Sequence, residues 1–76
     1  MKFSIRFFYP SPRGVEYTFS VWYFNTTMQA EYQARKFAKE NFPNCTKIMI
    51  EWESGTGKKT RTLRKDENGT FRRGRK

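Results

Sequence analysis

The chain ends in KKTRTLRKDENGTFRRGRK, residues 58–76, in which nine side chains are Lys or Arg. A guanidinium donates in a fixed fork that fits phosphate oxygens or a guanine edge, and an ammonium group serves the same targets as a point charge. Arginine outnumbers lysine five to four in this segment, which favours contact over plain solubility. Thr60, Thr62, Leu63, Thr70 and Phe71 interrupt the charges, so the segment can form strands instead of a plain charge block. Lys58, Lys59, Arg61, Arg64, Lys65, Arg72, Arg73 and Arg75 are the candidate phosphate contacts. Two other readings compete: a solvated tail, and docking on an acidic protein surface.

Catalytic chemistry has little to work with. The 76 residues include no histidine and one cysteine, which excludes an internal disulfide and the usual Cys/His zinc site. Cys45 lacks a His to activate it and is expected to be a half-buried structural thiol. Glu51 and Glu53 lie two apart in a strand-like run, a spacing suited to balancing the nearby cations. SGTGKKT (54–60) contains glycines and lysines but not the spacing of a phosphate-binding loop, and a flexible connector is expected. These features exclude an enzyme with a tuned acid–base pair and imply no cofactor.

Hydrophobic periodicity supplies the elements that position the candidates. Phe3, Ile5 and Phe7 alternate with polar residues, and Val15, Tyr17, Phe19, Val21 and Tyr23 alternate with Glu16, Thr18 and Ser20. Strands are expected over 2–9 and 15–24, joined into a hairpin by YPSPRG. The period then changes to that of a helix. Thr26 with Gln29 forms a capping box, with Asn25 or Thr27 as alternative caps. Ala30, Ala34, Phe37, Ala38 and Asn41 share one face, and Pro43 ends the helix near Phe42. Glu31–Arg35 and Lys36–Glu40 are expected as exposed i,i+4 pairs. A third strand covers about 46–53, from Ile48, Ile50 and Trp52.

Two short strands, about 59–65 and 70–75, flank Asn68-Gly69, a strong hairpin signal. Arg61 and Lys65 then share a face with Leu63, Arg73 and Arg75 share one with Phe71, and Arg64 and Arg72 face the other way. The fold class that follows is α+β: one small antiparallel sheet in the order β-β-α-β-β-β, with one helix on one face. Residues 1–57 form a compact ββαβ core, and 58–76 a basic hairpin or tail of the same single domain.

Aromatics make up 18% of the chain, enough to stabilise a thin core. If Phe3, Phe7, Tyr17 and Phe19 face the helix, then Phe8, Trp22 and Phe24 face away, beside Arg6, Lys47 and Met49. Arg6, Trp22 and Phe24 are therefore candidates for base stacking or partner contact, with packing round the sheet edge into the core or against a second copy as the competing reading for the aromatics. RGVEYTF (13–19) departs from the aromatic strand motif of RNA-recognition domains at Val15 and Ser20, and the element order also differs.

The net charge is +9, divided as +2 over residues 1–53 (seven basic, five acidic) and +7 over 54–76 (nine basic, two acidic). Such an imbalance suits a polyanion, most commonly DNA or RNA, an acidic protein surface, or plain hydration. No signal peptide or membrane span is expected, and a reducing cytoplasm is the expected setting. The Asn-x-Thr matches at 25, 44 and 68 then read as a cap and two turns. The order of strand and helix over about 15–53 resembles small phage and mobile-element proteins, among them arm-type DNA-binding domains and inhibitors of host nucleases. That resemblance implies the alternative of an inhibitor docking on a host nucleic-acid enzyme or nucleoprotein complex. Either a monomer or a homodimer joined at a sheet edge is compatible with a small open sheet.

Overall fold

The computed structural model describes residues 1–73. In chain order the elements are β1 (Lys2–Ser11), β2 (Gly14–Tyr23), α1 (Thr27–Asn41), β3 (Lys47–Ser54), β4 (Gly57–Lys65) and β5 (Phe71–Arg73). The five strands form one antiparallel sheet ordered β2-β1-β3-β4-β5, so the expected α+β fold is present. Among the described residues no helix is long and apolar enough to cross a membrane.

Two hairpins are built from the same four-residue pattern, Ser-x-x-Gly. Ser11 Oγ donates to Gly14 O at 3.0 Å and accepts from Arg13 N at 3.2 Å; Ser54 Oγ makes the equivalent bonds to Gly57 O and Thr56 N at 3.0 and 3.2 Å. Gly14 and Gly57 take φ of 120° and 127°, a region that side chains with a Cβ rarely enter. The first strand is therefore two residues longer than expected, the second keeps its length but begins and ends one residue earlier, and YPSPRG contracts to a turn at Pro12-Arg13. Pro10 lies inside β1 without disrupting it, because its position falls beyond the residues that pair with β3.

This tight turn decides which side chains face the helix. Ser11 pairs with Gly14, so Phe3 pairs with Trp22, Ile5 with Ser20 and Phe7 with Thr18. Paired residues share a face, which corrects the expected orientation of β2. Tyr17 and Phe19 face away from the helix, beside Phe8 and Arg6, while Trp22 and Phe24 pack against the core. The alternation in β2 is real, but a register offset of one residue reverses a whole strand.

Helix α1 starts where the capping box predicts. Thr26 Oγ1 accepts from Gln29 N at 3.2 Å, and Gln29 Oε1 accepts from Asn25 N at 3.0 Å. Ala30, Ala34 and Ala38 are fully buried, and their small side chains let the helix lie close over β1 and β3. Glu31 is buried as well, at 3% exposure, which corrects its expected place on the outer surface. At about 100° per residue it lies only about 20° round the helix from Ala38, at the border of the buried stripe.

The core comprises Phe3, Ile5, Phe7, the three alanines, Cys45, Ile48, Ile50, Leu63 and Phe71. Trp22, Phe24, Phe37, Phe42 and Trp52 pack round it. Leu63 and Phe71 come from the basic segment, so that segment supplies core. Cys45 is fully buried instead of half-buried. Its thiol donates to Lys47 O at 3.3 Å, and burial raises its pKa above the ordinary value.

Candidate functional site

Alternation along β4 and β5 divides the basic residues between the two faces of the sheet. Arg61 and Lys65 point to the helix side with Leu63, and Arg73 does so with Phe71. There they are occupied. Arg61 and Arg73 both donate to the Glu31 carboxylate, the latter at 3.2 Å, and Arg35 approaches it at 3.6 Å. Lys65 Nζ donates to Pro43 O at 2.9 Å and lies 5.5 Å from the Phe71 ring centroid. The Arg61 guanidinium also lies over Trp52, 5.9 Å from the ring centroid. These contacts clamp β4 and β5 to the helix. Lys59 pairs with Trp52 across the strands and is exposed. Arg75 lies outside the described residues.

Lys58, Arg64 and Arg72 occupy the opposite face, which no helix covers among the described residues. The register places them in rows. One row runs from β2 to β5 as Tyr17, Phe8, Lys47, Arg64 and Arg72; the next runs as Phe19, Arg6, Met49 and Thr62. Phe8 and Tyr17 pack with ring centroids 5.3 Å apart, and Lys47 Nζ lies 4.5 Å from the Phe8 centroid. The Arg6 guanidinium lies 5.5 Å from the Tyr17 centroid and 5.2 Å from that of Phe19. Both residues remain half exposed, Tyr17 at 52% and Phe19 at 49%. Val15, Val21 and Tyr23 continue the exposed apolar strip along β2, an edge strand of the sheet.

Sequence reasoning missed this strip, because the odd-numbered residues of β2 are its more apolar set and were expected against the helix. Trp22 and Phe24, candidates for stacking or partner contact with packing as the competing reading, are on the other side and pack against the core. Trp22 lies 5.1 Å from Phe37 and 5.9 Å from Phe7, and Phe24 lies 6.2 Å from Phe3, all between ring centroids. Arg6 is on the outer face, as expected. Turn length held the signal: a two-residue connection at Pro12-Arg13 fixes the pairing and, with it, the face.

The charges on the outer face are only partly compensated. Arg6 Nη1 approaches Glu51 Oε1 at 3.4 Å. Its pKa is raised, first by the Tyr17 hydroxyl and, against burial, by Glu51, so it is cationic at any working pH. Arg72 Nε donates to Asp66 Oδ2 at 2.7 Å. Asp66 also organises the β4–β5 loop: its Oδ1 accepts from Asn68 N and Thr70 N, both at 2.9 Å. The Thr70 amide, followed by Arg72, holds the Asp66 carboxyl below its ordinary value of 3.8. Arg64 makes no ion pair among the described residues. The face therefore combines flat π-surfaces on β2 and β1 with cations on β3, β4 and β5. Glu53 faces Lys58 across the β3–β4 pair, and SGTGK is the expected strand connector, closed as a tight turn between Ser54 and Gly57. No known protein family, curated protein or solved structure matches this chain, so its function has to be argued from the placement of these side chains.

Proposed function

We propose that this chain is a non-enzymatic nucleic-acid-binding module whose contact surface is the helix-free face of its sheet. The observation that carries the reading is the row Lys47, Arg64, Arg72 on three adjacent strands. Adjacent strands are about 4.8 Å apart, so these side chains form a cationic row. Arg72 is shared with Asp66, while Lys47 and Arg64 have no ion-pair partner among the described residues. A polyanion gains from such a row by releasing its condensed counterions. Arg61, Lys65 and Arg73 hold the fold together and contribute field more than contact.

Salt-titrated binding of the full chain to oligonucleotides tests the proposal. With about four phosphates neutralised, affinity for duplex DNA falls about a hundredfold between about 50 and 200 mM salt. Arg64→Gln lowers the log–log salt slope by about 1, whereas Lys36→Gln on the exposed side of the helix leaves it unchanged. An unchanged slope in both Arg64→Gln and Lys47→Gln would reject the proposal. A second reading, docking on a nucleic-acid-processing enzyme, draws on the apolar strip along the β2 edge. It predicts partner binding that persists in high salt and depends on Tyr17, Phe19 or Tyr23.

A further inference from the structure

We infer that the polymer this face accepts is single-stranded, with two bases seated on Tyr17 and Phe19 and the sugar–phosphate chain drawn over Lys47 and Arg64. The inference rests on the nucleic-acid reading above and narrows it to a substrate class.

Dimensions argue first. Five paired strands place β2 and β5 about 19 Å apart, whereas the major groove of B-DNA is about 12 Å wide. The β4–β5 ribbon cannot enter the groove by itself, because β4 is paired with β3 along Gly57–Arg64. A duplex can therefore meet this face only at its outermost phosphates and leaves the aromatic half unused. A single strand can turn its bases flat onto the sheet.

The rings are placed for that arrangement. Tyr17 and Phe19 are two residues apart on β2, about 6.6 Å along the strand, which separates two bases so that each covers its own ring. The Arg6 guanidinium lies over both rings, 5.5 and 5.2 Å from their centroids, and puts a cation beside the two stacking surfaces. Across the sheet the order is ring, ring or guanidinium, then cation: Tyr17, Phe8, Lys47, Arg64 in one row. Bases on β2 thus leave the backbone over β3 and β4, where the cations are. Core packing does not account for the strip. The helix lies on the opposite face, and Tyr17 and Phe19 are each about half exposed. Recognition of this kind tolerates any sequence, since every base has a π-face.

The test measures the full chain against a short oligothymidylate and a duplex of equal length, for wild type, Phe19→Leu, Tyr17→Leu and Arg64→Gln. Leucine keeps the apolar contact but removes the ring, and both sites are exposed, so the fold is retained. The expected result is a preference for the single strand and a loss of about tenfold for each ring removed, with duplex affinity unchanged. Equal affinity of both leucine variants for oligothymidylate, with loss in Arg64→Gln, would overturn the stacking site while leaving the nucleic-acid reading intact. A preference for duplex would overturn the inference alone. Absence of binding to either oligonucleotide in low salt would overturn both. If Phe19→Leu converts a dimer to a monomer in sedimentation and leaves oligonucleotide binding intact, the strip belongs to a second copy and the inference fails.

Discussion

On the helix side of the sheet, Arg61 and Arg73 close on the buried Glu31 carboxylate and Lys65 caps a backbone carbonyl. On the other side, Lys47 lies over the Phe8 ring and pairs across the strands with Arg64, which is exposed and flanked by Arg72. The same segment supplies cations to both faces. What separates them is the strand period of two, which sends alternate residues of β4 to opposite environments. A carboxylate is available on one side because Glu31 borders the alanine stripe of α1. On the other, Glu51 and Asp66 engage Arg6 and Arg72, and no carboxylate pairs with Lys47 or Arg64 among the described residues. A basic segment can therefore hold a fold together and present charge at once, with different residues assigned to each task.

The largest expected effect comes from breaking the covered side. Leu63→Ala removes a fully buried side chain and is expected to cost about 3 kcal/mol of stability, measured by urea or thermal unfolding. A cost below about 0.5 kcal/mol would mean that the basic segment is not part of the core. Glu31→Gln comes next. It leaves Arg61 and Arg73 without their counter-charge, and a loss of about 2 kcal/mol is expected. That is less than the 3–5 kcal/mol typical of a fully buried pair, because these arginines reach water. Arg64→Gln, by contrast, should alter unfolding by less than about 0.5 kcal/mol while reducing oligonucleotide binding. Equal destabilisation by Glu31→Gln and Arg64→Gln would erase the distinction between the faces.

The smallest effect concerns Asp66. Its folded carboxyl titrates below 3.8, so its contribution is complete above that value and is lost as pH falls through the lowered folded pKa. The β4–β5 loop should then loosen in acid before the core unfolds, seen as faster amide exchange at Asn68 and Thr70. Identical exchange in wild type and Asp66→Asn across that range would show that the carboxylate does not hold the loop.

Strand and helix existence, the alanine stripe, the Thr26 cap and the face assignments within β4 and β5 were all legible in the sequence, because each follows from neighbours along the chain. Periodicity says that Tyr17 and Phe19 share a face, and a cap says where α1 begins. Neither says which face of β2 meets the helix. That depends on the Pro12-Arg13 turn and on pairing between residues as distant as Phe3 and Trp22, where a one-residue change in connection length inverts every side chain. Glu31 is a similar case. In sequence it is an exposed i,i+4 partner of Arg35, and only the approach of β4 and β5 buries it against Arg61 and Arg73. Local patterns along the chain set the elements, and composition set the net charge of +9. Tertiary pairing decided which cations were neutralised and which aromatics met water, because charge compensation and exposure depend on distances across the sheet.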